Sequence, residues 1–433
     1  MWTIPPWTEL EATLRDPAAP IGKRMRAAYF AKTLFVNLEK NAPDGEGGED
    51  TTESDSVTPQ MIIDVLCEQV FVAEHGALLR HEFAYVLGQC QSELACPTLH
   101  ELLQKDGDDV MVRHEAAEAL GAIASPISRQ VLEETRDKYK GVLNELSDTC
   151  LLALNRVKKE DNDDDDDNLS SASPVVGCAC MLAPYSSIDP AKADPKHISL
   201  STKELGDILL YGPITTGAEN DQRTTSATPN RDSANLNERY RAMFSLRDRG
   251  GNEAVLELCR ALTEDTTSPL LRHEVAFVLG QLQDPASIDA LEESLSRCGT
   301  TGQDDGEHCM VRHESAEALG AIECESGEQW KRIESILTKY QQDADQAVAE
   351  SCIVALDAAD YFGHSSLATE QTQTSDDESS AEVQNGVDDH QGLFGKQKHD
   401  ALNCGATESD NNDLRKHILA QHFNVQSSPE TVQ

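Results

Sequence analysis

Four histidine–glutamate pairs are the residues of this sequence that could carry chemistry, because each occupies an equivalent place in a repeated segment. The pairs are His81-Glu82, His114-Glu115, His273-Glu274 and His313-Glu314. Two histidines and one carboxylate form the facial ligand set of oxygen-activating non-haem iron. A single such pair is most often a solvated dipeptide at a helix start, but four equivalent pairs favour metal ligation. We therefore predict a two-metal centre shared by all eight side chains.

Other metals and other functions are open at this point. Carboxylates alone would suit magnesium or calcium, and cysteines would suit structural zinc, but neither pattern accompanies these pairs. Nitrogen and oxygen ligands do not exclude a hydrolase with two zinc ions. A repeat scaffold or adaptor without catalysis is a further alternative. No nucleophile elbow, phosphate-binding loop or dinucleotide motif is present, so any catalysis must come from the metals.

The pairs lie in a duplicated sequence. Residues 78–89 read LLRHEFAYVLGQ and residues 270–281 read LLRHEVAFVLGQ. Residues 111–123 (MVRHEAAEALGAI) and 310–322 (MVRHESAEALGAI) differ at one position. The second half of the chain therefore repeats the first, and the two HE segments within each half also resemble one another.

Each repeated unit is predicted to be helical. Leu79, Phe83, Val86, Leu87 and Cys90 follow one another with the spacing of one helix face. A single helix pair cannot bury such a face alone, so neighbouring pairs must stack. We predict an all-α solenoid in two similar halves of about four helix pairs each. An arginine precedes each histidine, and we expect these arginines to tie neighbouring repeats together through carboxylates.

Composition divides the chain further. We predict a first repeat half at 1–160, an acidic, Pro- and Ser-rich linker at 161–200, and a second repeat half at 201–365 with a disordered stretch at 213–235. Residues 366–433 read as a low-complexity, disordered tail.

Net charge and hydropathy restrict the partners. The net charge of -41 repels nucleic acid and favours basic partners. The sequence contains no run of eighteen apolar residues, so we predict no membrane span. The 12 scattered cysteines are best explained as free thiols in the reducing cytoplasm.

The motif order resembles the deoxyhypusine hydroxylase family. RHE…VLGQ is followed 33 residues later by RHEAAEALGAI, and the pair of motifs is duplicated with all four HE dipeptides intact. The resemblance covers roughly 1–160 and 185–362, including PYSSIDP at 184–190 and RYRAMFSLR at 239–247. It implies HEAT-like repeats in two halves around a di-iron centre. The departures are insertions, and none interrupts an HE motif.

The resemblance also implies an activity and a ligand set. The substrate would be the deoxyhypusine form of the precursor of translation initiation factor five-A, hydroxylated to hypusine with O₂ and an external electron donor. His81, His114 and Glu115 would bind one Fe²⁺ ion, and His273, His313 and Glu314 the other. Glu82 and Glu274 would be the catalytic carboxylates, either as further ligands or as partners of the substrate's amines.

Overall fold

The computed structural model describes residues 4–40, 57–157, 187–213, 233–298 and 306–362, and these residues form helices and no β-strand. The first half contains α1 (Trp7–Arg15), α2 (Ile21–Lys40), α3 (Pro59–Gln69), α4 (Gly76–Gln89), α5 (Cys96–Gln104), α6 (Val110–Ile123), α7 (Arg129–Tyr139) and α8 (Asn144–Arg156). The second half contains α9 (Thr202–Tyr211), α10 (Ser233–Arg249), α11 (Gly251–Glu264), α12 (Pro269–Leu282), α13 (Ile288–Ser296), α14 (Cys309–Ala321), α15 (Gly327–Tyr340) and α16 (Gln346–Phe362).

Consecutive helices pack as pairs, and the pairs stack in two layers. The even-numbered helices form the inner layer: α4 packs on α6 and α6 on α8, while α12 packs on α14 and α14 on α16. The odd-numbered helices pack outside them as their partners. The prediction of an all-α solenoid with four helix pairs in each half is confirmed.

Local sequence signals set where these helices begin. The Ser268 hydroxyl accepts a hydrogen bond from the Leu271 N–H at the start of α12, where Pro269 has no N–H to satisfy. Ser201 and Glu204 form a capping box at the start of α9. These caps place the HE dipeptide of α12 in the second turn of its helix, on the buried side.

Glycines on the inner helices let the stack close tightly. A Cβ built on Gly88 of α4 would lie 2.7 Å from the Cα of Ala119 on α6. A Cβ on Gly121 would lie 2.9 Å from the Cα of Ala153 on α8. Because no side chain fits at these contacts, the glycines set the distance between neighbouring inner helices.

We expect Gly88→Ala to destabilise the protein. Overpacking against a backbone atom costs about 1–3 kcal/mol, which exceeds the gain in helix propensity of roughly 1 kcal/mol. Urea denaturation followed by circular dichroism measures the loss. Gly206→Ala is the control, because a Cβ there meets only the flexible side chain of Glu257, which can rotate away. Equal stability of Gly88→Ala and wild type would show that the inner helices can separate without cost.

The arginines that precede the histidines join neighbouring helix pairs, as predicted. The Nε of Arg80 donates to the carbonyl of Val70 at the end of α3, and its terminal nitrogens donate to Asp108 in the loop between α5 and α6 of the next pair. Arg312 makes the same two kinds of contact, with the carbonyl of Leu295 and the carboxylate of Asp343. Each guanidinium therefore fixes three consecutive segments of the stack.

The two halves close on each other at both ends. Helix α8, the last of the first half, packs on α10 and α12 at the start of the second half. Helix α16, the last of the second half, packs on α2 and α4 at the start of the first, and Arg26 forms an ion pair there with Asp357. Ala347 and Val354 of α16 belong to the hydrophobic core of the first half. The solenoid is thus a closed ring whose inner helices face a common centre.

Parts of the predicted domain division fall on described residues. Residues 187–200, within the predicted linker 161–200, include a short helical turn at Pro195–Ser199, and Ser187 and Ile188 form hydrogen bonds with α12 and α4 respectively. Helix α10 begins at Ser233, inside the stretch 213–235 for which we predicted disorder. The remainder of that stretch, most of the linker and the predicted tail at 366–433 lie outside the described residues.

Candidate metal centre

The four HE dipeptides lie on the four inner helices that face the centre of the ring. They stand on α4, α6, α12 and α14, and all eight side chains are at most 5% exposed. His114 and His313 are completely buried. The repeat places every pair at the same height of its helix, and closure of the ring turns all four toward one point.

The four imidazoles form one compact group. The ring centroids of His81 and His114 are 5.4 Å apart, and those of His273 and His313 are 5.3 Å apart. Across the two halves, His114 lies 5.4 Å from His273, and His81 lies 5.4 Å from His313. Contacts between halves are therefore as short as contacts within a half.

Each first histidine of a half points at a carboxylate of the following repeat. The Nε2 of His81 lies 3.2 Å from Oε2 of Glu115, and the Nε2 of His273 lies 3.5 Å from Oε2 of Glu314. Among the described residues, both ring nitrogens of His114, His273 and His313 are buried without a hydrogen-bond partner. Buried polar atoms of this kind are costly unless a ligand satisfies them. The donor set therefore fits metal ions.

Three groups of side chains bring their ligand atoms within 4.8 Å of one another at this centre. They are His81, His114 and His273; His273, His313 and Glu314; and His114, Glu115 and Glu118. The second group is the set that the family resemblance implies for one ion. The first group differs from the implied set of the other ion, because it contains His273 of the second half in place of Glu115.

Burial controls the protonation of the imidazoles. Burial lowers the pKa of His114 and His273 well below the usual histidine value, and the neighbouring imidazoles lower it further. These two rings are therefore neutral near pH 7 and keep the lone pairs that bind metal. Burial alone would lower the pKa of His81 too, but Glu115 and Glu82 outweigh it and raise that pKa well above the usual value.

The carboxylates around the histidines are crowded. Burial raises the pKa of Glu118, Glu274 and Glu314 well above the usual range, and adjacent carboxylates raise it further. Glu118 and Glu317 were missed in the sequence, although each stands four residues after a histidine, on the same helix face. A cation at this place would relieve the repulsion, which is a second reason why the centre fits metal ions.

A pocket opens beside the histidines. The pocket, whose volume of about 490 Å³ includes space open to solvent, is lined by carboxylates from four inner helices, by Tyr29, Tyr85 and Phe277, and by residues 187–190. The hydroxyl of Tyr29 donates a hydrogen bond to Glu82. Glu82 and Glu274 line this pocket, and neither belongs to the three groups of close ligand atoms. The pocket therefore combines negative charge with aromatic walls directly at the candidate metal centre.

Comparison with known proteins identifies the family. Residues 63–145 match the HEAT repeat family, and residues 271–297 match the PBS lyase HEAT-like repeat. The chain is 39% identical over 360 residues to the deoxyhypusine hydroxylase of Chaetomium globosum, with 81% of this chain and 87% of that protein covered. It is 37% identical to the human deoxyhypusine hydroxylase, with coverage of 81% and 89%. The chain belongs to the deoxyhypusine hydroxylase family.

A solved structure agrees with this membership. The human deoxyhypusine hydroxylase in complex with glycerol superposes with a TM-score of 0.57 at 33% identity, covering 81% of this chain and 94% of that one. Members of the deoxyhypusine hydroxylase family are enzymes, so the prediction of a hydroxylase is confirmed and the scaffold alternative is not favoured. No helix among the described residues is long and apolar enough to cross a bilayer.

Proposed function

We propose that this protein is a di-iron monooxygenase that converts deoxyhypusine to hypusine in the precursor of translation initiation factor five-A. The observation that carries the proposal is the meeting of four buried imidazoles beside an acidic pocket, in a chain of this family. Two Fe²⁺ ions per chain would be held by the histidines together with Glu115 and Glu314. Iron supplies the oxygen-activating chemistry that acid–base side chains lack for attack on an unactivated C–H bond.

Glu82 and Glu274 are assigned to the substrate in this proposal. Both line the pocket, and neither belongs to the three groups of close ligand atoms, although Oε1 of Glu82 lies 3.2 Å from the Nδ1 of His81. The deoxyhypusine side chain is a polyamine-like chain with cationic nitrogens, so it needs buried anionic partners. The aromatic rings of Tyr85 and Phe277 would contact the methylenes between those nitrogens. The net charge of -41 would speed capture of a basic substrate loop and make that capture sensitive to salt.

The experiment begins with protein loaded with ferrous iron without oxygen. We expect two iron ions per chain and, after addition of O₂, a reductant and the deoxyhypusine form of the factor, a product with one additional oxygen atom by mass spectrometry. Zinc-loaded protein is the control and should leave the substrate unchanged. A product without added oxygen would favour the two-zinc hydrolase, and protein that retains no iron would contradict the proposal.

Tyr29→Phe should weaken turnover without affecting iron content. The change removes the hydroxyl that holds Glu82, and a hydrogen bond to a charged group contributes about 1.5–3 kcal/mol, so kcat/KM should fall at least about tenfold. Steady-state hydroxylation and iron analysis give the two readouts. Tyr211→Phe, at an exposed tyrosine of α9, is the matched control and should behave as wild type. Wild-type turnover by Tyr29→Phe would show that the hydrogen bond from Tyr29 to Glu82 does not contribute to substrate binding or turnover.

A further inference from the structure

One part of the pocket wall does not come from the repeats. Among the described residues that line the pocket, all lie on inner helices except residues 187–190, which connect the two halves. The helical walls occur in two related copies because the sequence is duplicated, although Tyr29 and Tyr85 are matched by Phe244 and Phe277 in the second half. The segment Ser187–Pro190, which we name the connecting strap, occurs once.

Both halves hold the connecting strap through equivalent residues. The Oε1 of Gln89 on α4 accepts a hydrogen bond from the Ile188 N–H at 3.0 Å. The amide of Gln281 on α12 donates to the Ser187 hydroxyl at 3.1 Å. Gln89 and Gln281 are the last residues of the two copies of VLGQ, so each half contributes the same side chain to the same segment.

Two arginines fix the strap more firmly. Arg156 at the end of α8 donates to the Asp189 carbonyl at 2.7 Å, and it also donates to the carbonyl of Gly121 on α6. Arg247 of α10 forms an ion pair with the Asp189 carboxylate at 2.8 Å, and its side chain is only 5% exposed. Charge-assisted contacts that are shielded from water hold geometry well. The strap is therefore a fixed wall at the candidate metal centre.

A nearly symmetric site has to bind an unsymmetric substrate. The four HE dipeptides and the carboxylates around them are related by the internal repeat, so they alone offer a cationic chain two equivalent orientations. The deoxyhypusine side chain has a free amine at one end and a protein at the other. Because the connecting strap is present once, it distinguishes the two orientations.

We propose that the connecting strap determines substrate specificity, with Ile188 contacting the methylene chain and Asp189 acting as a positioning residue that fixes the strap through Arg247. This inference rests on the proposed function. Ile188 lines the pocket that Tyr85 and Phe277 also line, and these side chains together form its apolar part. The carboxylates bind the amines, while the strap selects the length and direction of the chain between them.

The test measures binding separately from turnover. A fluorescent peptide carrying deoxyhypusine is titrated without oxygen into iron-loaded Ile188→Ala, Ile188→Trp and wild-type protein, and the same peptide with unmodified lysine is titrated in parallel. We expect both variants to bind the deoxyhypusine peptide about tenfold more weakly, as for the loss or displacement of a few buried methylenes. Affinity for the lysine peptide should change little, so the ratio of the two affinities, which measures the preference for deoxyhypusine over lysine, should fall.

Controls separate this inference from the proposed function. Ile198→Ala changes an isoleucine of the same region that is 70% exposed and lies outside the pocket, and it should bind as wild type. Iron content and melting temperature show whether each variant is folded. If wild type neither binds nor hydroxylates the deoxyhypusine substrate, the proposed function fails. If wild type does both and the two Ile188 variants bind equally tightly and with the same preference, the role of the strap alone is overturned.

Discussion

Replacing His313 with alanine is expected to abolish hydroxylation while leaving the helices intact. His313 is completely buried, and neither ring nitrogen has a hydrogen-bond partner among the described residues, so its imidazole contributes little to the fold except volume. Its ligand atom lies within 4.8 Å of those of His273 and Glu314. Loss of a ligand has a greater effect than the roughly 10–100-fold loss that follows a change in its supporting residues. We therefore expect activity to fall by more than about a hundredfold.

Metal analysis and circular dichroism complete this test. His313→Ala should retain less iron per chain than wild type, with an unchanged far-ultraviolet spectrum. His81→Ala should behave in the same way, because His81 lies in the same compact group of rings. His100→Ala is the control, since His100 is a partly buried histidine that bonds Ser128 away from the centre. Turnover at the wild-type rate in either site variant would exclude that histidine from the ligand set.

Asp265→Ala is expected to cause the largest loss of stability. The Asp265 carboxylate is 1% exposed and lies between two arginines, 2.7 Å from Arg239 and 3.4 Å from Arg272. It also accepts hydrogen bonds from the hydroxyl of Thr267 and the N–H of Ser268. Removing one partner of a buried ion pair leaves an uncompensated charge, which costs about 3–5 kcal/mol.

The dependence on pH gives a second readout for Asp265. Burial alone would raise its pKa, but Arg239 together with the hydrogen bonds from Thr267 and Ser268 outweighs burial and holds that pKa below the usual value. The carboxylate therefore stabilises the fold above its unfolded-state pKa and loses that contribution as the pH falls through the lowered folded-state pKa. Urea denaturation at neutral pH should show the full difference between wild type and Asp265→Ala, and the difference should shrink in acid. Asp289→Ala, at a surface ion pair with Arg332, is the control and should unfold as wild type.

The sequence predicted the fold well because the fold is a repetition of a local pattern. Helical spacing in 78–90 fixes which face of each helix is buried, and duplication extends the same conclusion to the second half. The ion pairs of the arginines before the histidines were also predictable, since a buried cation that recurs in each repeat needs a carboxylate that recurs with it. Closure of the ring was not predictable, because it depends on small rotations between successive pairs that no single residue encodes.

The site was predictable only in part for the same reason. The HE dipeptides are recognisable because they recur. Glu118 and Glu317 could also have been found, because each stands four residues after a histidine and so lies on the same helix face. The hydrogen bond between Tyr29 and Glu82 joins two residues that are 53 positions apart in the sequence. In the second half the residue that matches Tyr29 is Phe244, which has no hydroxyl. The strap lies outside the repeats altogether. Interactions that break the internal symmetry therefore cannot be derived from the repeat itself.

Closure of the ring at two junctions also links the affinity for metal to the stability of the contacts between the two halves. One junction is continuous with the chain between the halves, whereas the other, where α16 meets α2 and α4, is held among the described residues by side-chain packing and by contacts that include the Arg26–Asp357 ion pair. An ion bound by histidines from both halves, as in the group His81, His114 and His273, would add a third connection between them. Binding free energies are coupled reciprocally. If the ion stabilises the junction between the halves, an intact junction raises the affinity for the ion by the same free energy.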